Sequence, residues 1–151
     1  MVASIKNKEI FMYTLEDFDR ENTKVMKYIV FKKRTENEVR QKFQTSIDEN
    51  LLEDIIEYIK EAGYINDYEY IEKQVNEYKL LKTLSIKEIK YKLISKGLSK
   101  DLIEDYIQAN YEQLQEYENQ CLEKIVNKKS GTMEQERLKQ YLFKKGYRGE
   151  F

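Results

Sequence analysis

Among the side chains of this 151-residue sequence that could do chemistry, 27 are cations, set against 28 carboxylates, and the cations cluster. Lys32, Lys33, Arg34, Arg40 and Lys42 fall in one stretch. Lys87, Lys90, Lys92, Lys96 and Lys100 form a second, and Lys139, Lys144, Lys145 and Arg148 a third. Ammonium and guanidinium groups at this density suit the phosphates or carboxylates of a partner, and these residues are the candidate partner- or DNA-binding set. Nothing beside them points to a reaction. The absence of histidine removes Ser-His and Cys-His nucleophile pairs, imidazole bases and His-containing metal sites. One cysteine excludes an internal disulfide and a four-cysteine metal site. Cys121 follows the periodicity of Leu122 and Ile125 and reads as a buried thiol. Five glycines form no phosphate-cradling motif. Glu53/Glu57 and Glu112/Glu116 share helical faces but have no imidazole partner, so they read as solvated surface. The expectation is a non-enzyme with no catalytic residue, metal or cofactor.

Such cations need elements to hold them, and the composition says which. The chain is 40% hydrophobic and 36% charged, with a mean hydropathy of −0.81. That charge exceeds the roughly 25% of an ordinary globular domain and suits an array of small units, each keeping more surface than a sphere would. Thirteen tyrosines and regularly spaced Ile and Leu argue against disorder. The longest apolar runs, such as Tyr28-Ile29-Val30-Phe31, fall far short of the roughly 18 residues of a membrane span, and the N-terminus shows no signal-peptide pattern. A soluble, cytoplasmic monomer with no membrane contact is expected.

Apolar residues recur at intervals of three and four. Leu51, Leu52, Ile55, Ile56 and Ile59 make one helical stripe; Tyr68, Ile71, Val75, Tyr78 and Leu81/Leu84 a second. Ile86, Ile89 and Leu93, then Leu102, Ile103, Tyr106 and Ile107, make two more. Only residues 1–13 could be strand or disordered, and 1–14 is read as an N-terminal extension. Thr35 with Glu38 and Ser85 with Glu88 are capping boxes, and Thr14 with Asp17 is a looser one. Asp67 is expected to N-cap the helix after it. Gly63, Gly97 and Gly146 each follow a helical stretch and precede a hydrophobe, as left-handed C-caps do.

Aligning these signals exposes a repeat. Thr35, Glu38, Val39, Lys42 and Phe43 match Ser85, Glu88, Ile89, Lys92 and Leu93 at an offset of 50. Beyond the turn, Ile47, Leu51, Leu52, Ile55 and Ile56 match Leu98, Leu102, Ile103, Tyr106 and Ile107 at 51. A weaker third copy places Leu138, Leu142, Lys145, Gly146 and Tyr147 on Ile89, Leu93, Lys96, Gly97 and Leu98, without a capping box. The predicted fold is all-α, with tandem three-helix repeats over 15–62 and 67–110 and an incomplete third over 111–151, in an elongated, curved array. The third repeat is expected to stop before its last helix.

The near-zero net charge of −1 conceals blocks. Residues 24–44 carry seven basic and two acidic side chains; 45–78 carry two and ten; 79–100 carry seven and one; 101–120 carry none and six; 121–151 carry eight and four. Charge runs are usually solvated helix faces, but alternation in phase with the repeat suits a long, negative or charge-patterned partner such as DNA or a protein filament.

The motifs also carry a resemblance. Lys27-Tyr28-Ile29, Lys33-Arg34-Thr35, Glu38-Val39-Arg40 and Lys42-Phe43 resemble the first repeat of the RecX family of RecA regulators. Gly63-Tyr64-Ile65-Asn66-Asp67 is similar to its motif between repeats, and Ile86-Lys87, Ile89-Lys90, Lys92-Leu93 and Lys96-Gly97-Leu98 to its second repeat. Arg137-Leu138, Tyr141-Leu142 and Lys145-Gly146-Tyr147 resemble its last. Gln44-Thr45-Ser46 depart from the family's Lys-Gly turn, and the N-terminal extension is short. The resemblance implies an inhibitor that binds in the groove of a RecA filament on single-stranded DNA and modulates ATPase, strand exchange and co-protease functions; weak direct DNA binding is expected from the cations themselves. From the residues alone, a direct nucleic-acid-binding helical module and an inert adaptor array stay open.

Overall fold

The computed structural model describes the backbone of residues 2–6 and 9–147 and the side chains of residues 13–147. Strands β1 (Val2–Lys6) and β2 (Glu9–Tyr13) pair antiparallel, from Val2 opposite Tyr13 to Lys6 opposite Glu9, and lie against the third helix. Eight helices follow: α1 (Leu15–Phe31), α2 (Glu36–Phe43), α3 (Glu49–Glu61), α4 (Asp67–Leu81), α5 (Ile86–Ser95), α6 (Lys100–Ala109), α7 (Tyr111–Lys129) and α8 (Gln135–Lys145). The helical reading thus describes residues 15–145, and the segment left open between strand and disorder is the hairpin. The chain divides into two compact units, residues 1–70 and 71–151.

The helix starts follow from side-chain caps. The Thr14 hydroxyl accepts the Asp17 N–H at 3.0 Å while the Asp17 carboxylate accepts the Thr14 N–H at 3.1 Å. Ser85 and Glu88 exchange the same two bonds, each at 3.1 Å. Thr35 makes only half of its box: it accepts the Glu38 N–H, and the Glu38 carboxylate turns to Arg34. Asp67 is corrected by one residue. Asn66 caps α4, accepting the Glu69 N–H at 3.1 Å, because its amide oxygen occupies the position three residues before that donor. Asp67, one step inside α4, accepts instead the Glu36 N–H of α2 at 3.0 Å, satisfying a first-turn donor that α2 cannot bond itself.

Each unit has its own core. In the first, Leu51, Leu52, Ile55, Ile56 and Ile59 of α3 face Val25 and Ile29 of α1 and Val39 and Phe43 of α2, with Tyr13 at the edge. In the second, buried residues come from α4 (Ile71, Val75), α5 (Ile89, Leu93), α6 (Ile103, Tyr106, Ile107), α7 (Leu114, Tyr117, Cys121) and α8 (Leu138, Leu142), closed by Tyr147. Burying each such side chain contributes about 1.5–3 kcal/mol before chain entropy is charged against it. Leu81, assigned by periodicity to the stripe of α4, is instead 62% exposed, because α4 ends on it. Gly63, Gly97 and Gly146 all have positive φ, at 81°, 83° and 100°, as their positions demanded.

Candidate partner-binding surface

The candidate cations divide into those tied into the fold and those left reaching outward. In the first unit, Arg40 of α2 grips Glu53 of α3 with both terminal nitrogens, one bond measuring 3.1 Å, and lies 3.8 Å from Glu36. Arg34 is half-buried, with its guanidinium 4.0 Å over the ring of Tyr28 and 3.4 Å from Glu38. Both therefore hold helices together. Lys42 is exposed, its ammonium 5.8 Å over the same tyrosine, and Lys32 and Lys33 are exposed beyond the end of α1.

The second unit repeats two of these couplings, while Leu84 and Ile86 stand where Arg34 and Glu36 would. Lys90 of α5 pairs with Glu104 of α6 at 2.7 Å, the counterpart of Arg40 with Glu53. Lys92 stands 6.0 Å over Tyr78, the counterpart of Lys42 over Tyr28. Part of the charge alternation is thus internal: the basic helix of each repeat pairs with the acidic helix after it. Lys96 and Lys100 are exposed at the turn from α5 into α6.

Residues of the third cationic stretch meet the second at the start of α5. Lys145 donates to the Thr83 carbonyl at 3.0 Å and lies 3.6 Å from Glu88, and the Ser85 hydroxyl donates to the Lys145 carbonyl. The aliphatic stem of Lys87 lies across Gly146 so closely that a Cβ there would come within 2.6 Å of it. Glycine is needed at this position for that approach as well as for its φ. Lys139 and Lys144 flank the exposed ring of Phe143 on α8, where with Gln140 they line a shallow hollow of about 360 Å³. Lys139 also lies 3.9 Å from Glu136. Arg148 lies outside the described residues.

Three further cations escaped the sequence reading. Lys82, Lys124 and Lys128 line a hollow of about 670 Å³ with Gln120, Glu123 and Asn127. The four-residue spacing of 120, 124 and 128 was the available signal for one face of α7; the proximity of Lys82 is tertiary and had none.

Electrostatics around the caps has identifiable causes. Burial raises the Asp67 carboxyl above its ordinary range, and the neighbouring Glu36 adds to this, against the Glu36 N–H bond and Lys60, which favour its charge. Lys60 is raised by its 2.8 Å pair with Glu36. Burial, then its 2.8 Å bond to Asp54, pushes the Tyr13 phenol up to about 12. Burial likewise raises the Tyr117 and Tyr147 phenols, and the neighbouring Cys121 adds to both. Among the described residues no group of three or more metal-ligating side chains converges, and no helix is long and apolar enough to cross a membrane.

No family model matches the chain. It is 32% identical over 127 residues to the regulatory protein RecX of Staphylococcus carnosus (strain TM300), covering 81% of the chain and 47% of that protein. It is 30% identical over 142 residues to the regulatory protein RecX of Clostridium beijerinckii, covering 89% and 66%. The crystal structure of RecX from Lactobacillus salivarius superposes with a TM-score of 0.72 at 26% identity, over 89% of this chain and 91% of that one. The chain belongs to the RecX family. A second crystal structure, of a regulatory protein RecX, shares the fold with a TM-score of 0.66 at 22% identity. This RecX-family chain spans about half the length of the first curated relatives it matches.

Proposed function

We propose that the chain is a regulator of RecA recombinase that inhibits it by occupying the groove of the RecA filament on single-stranded DNA. Filling that groove reduces ATP hydrolysis, strand exchange and co-protease activity, and the protein acts as a monomer in the cytoplasm with no chemistry of its own. Membership of a family whose relatives are named regulatory proteins carries this reading. The repeated fixing of one exposed lysine over one tyrosine in each unit supports it, since a repeated contact group suits a partner with repeated subunits. On this reading the repeats span 15–62, 67–110 and 111–151. Lys32, Lys33, Lys42, Lys87, Lys92, Lys96, Lys100, Lys139, Lys144 and Arg148 meet the partner, while Arg34, Arg40, Lys90 and Lys145 shape the surface that presents them.

The test is DNA-stimulated ATP hydrolysis by the cognate RecA beside a titration of naked single-stranded DNA at two salt concentrations. Inhibition is expected at protein levels well below those that coat the DNA. Unchanged hydrolysis together with steeply salt-dependent binding to naked DNA would instead establish a direct nucleic-acid-binding module.

A further inference from the structure

Helices α1 and α4 end at the same place in the repeat. α1 stops at Phe31 and α4 at Leu81, and the next helices begin at Glu36 and Ile86, so both boundaries keep the offset of 50. The last two residues of each helix are apolar and exposed: Val30 by 74% and Phe31 by 86%, Leu80 by 82% and Leu81 by 62%. A single exposed hydrophobe is ordinary on any protein surface. The same apolar pair at the same position of two repeats is not scatter. A lysine follows each pair, Lys32 in one and Lys82 in the other. Lys82 sits at φ 50°, in the left-handed region that a side chain bearing Cβ adopts only at a cost glycine would avoid. A lysine is kept there nonetheless. The third repeat has no such pair, since α7 ends in Lys128-Lys129.

The surroundings say what would cover these pairs. Neither 27–35 nor 78–87 contains an acidic residue, and lysines adjoin each pair, Lys32 and Lys33 as one collar and Lys79 and Lys82 as the other, where Glu116 of α7 lines the same hollow as Leu80 and its two lysines. Nucleic acid would use the collars, but Val30, Leu80 and Leu81 have no π face on which a base could stack. A protein pocket with an apolar floor and a carboxylate rim satisfies both parts.

We propose that Val30-Phe31 and Leu80-Leu81 are equivalent anchors that dock into one kind of acidic-rimmed apolar pocket, offered more than once by a polymeric protein partner. This rests on the function proposed above, in which the partner is the RecA filament and its subunits are identical. The anchors carry the binding strength, and the lysine collars carry selection for the acidic rim.

The experiment compares the full chain with V30S/F31S, L80S/L81S and the four-fold variant. Binding is measured to RecA filaments assembled on single-stranded DNA with a slowly hydrolysed ATP analogue, and to the same DNA without RecA. Each pair of substitutions should weaken filament binding about ten-fold or more, as loss of a central apolar contact does, and the four-fold variant should weaken it further. Naked-DNA binding and far-UV circular dichroism should not move, because the replaced side chains lie in solvent. The exchanges F31L and L81F should retain filament binding, which separates loss of an anchor from loss of fold. Wild-type affinity in the serine variants would overturn the anchors while leaving the RecA reading intact. A parent chain that does not bind the filament would overturn both. Equal losses on filament and naked DNA would make nucleic acid the occupant and overturn the proposal.

Discussion

In the first unit an arginine joins the second helix of the repeat to the third; in the second unit a lysine does so, fifty residues on. Arg40 offers a planar fork that meets both oxygens of Glu53, whereas Lys90 offers one point charge to Glu104. The tyrosine–lysine stacks likewise recur at 5.8 and 6.0 Å. Where the units part company is the N-terminus of that second helix. At α2 the incoming group is an acceptor, the Asp67 carboxylate on the Glu36 N–H. At α5 the incoming groups are donors and a carbonyl. Tyr117 donates to the Leu84 carbonyl at 2.8 Å, Lys145 donates to the Thr83 carbonyl, and the Lys145 carbonyl receives the Ser85 hydroxyl. The repeat keeps these two internal couplings and varies the joint at which later helices arrive.

The largest effect expected from breaking this comparison is at the two buried caps. Ser85→Ala removes the acceptor for the Glu88 N–H and the donor to the Lys145 carbonyl together, whereas Thr35→Ala removes the cap bond from the Glu38 N–H. Urea unfolding should show a loss of about 2 kcal/mol for the serine and about 1 kcal/mol for the threonine. Equal losses would mean that the joint at α5 adds nothing.

Next is Asp67. Its carboxyl is raised in the fold above the ordinary 3.8, so the native state holds the proton more tightly than the unfolded chain. Its contribution is therefore full below about pH 4 and falls as pH rises through the raised value. Asp67→Asn keeps an acceptor for the Glu36 N–H without the buried charge. It should flatten the decline of stability between pH 4 and neutrality, while Asp67→Ala should cost about 1 kcal/mol near pH 4 and less toward neutrality. A parallel pH profile in the asparagine variant would remove Asp67 as its source.

The smallest effect is at the ion pairs. All four partners are about a third to a half exposed, so solvent screening limits each pair to about 0.2–1 kcal/mol. Double-mutant cycles should place Arg40–Glu53 toward the top of that range and Lys90–Glu104 toward the bottom, with both shrinking in high salt. A stronger lysine pair would contradict the advantage assigned to the forked geometry.

Much of this was legible in the residues because its signals are local. Thr14, Ser85 and the three left-handed glycines read correctly, since a cap depends on the next three or four residues and on little else. Asn66 and Asp67 did not, because two good capping residues stood side by side and only the backbone decides between them. Leu81 was misplaced because periodicity extends past a helix end that the stripe itself does not mark. The candidate cations were visible as a set, but their division into tied and outward-reaching members was not. Arg40 meets Glu53 only once α2 folds against α3, and Lys145 meets Thr83 across 62 residues of sequence.

Cys121 is the single thiol of the sequence and is wholly buried beside Tyr117 and Tyr147. A small thiol reagent can reach it only when that packing parts. The native chain therefore carries a clock for the opening of residues 71–151, read at one atom and blind to the hairpin and helices of the other unit.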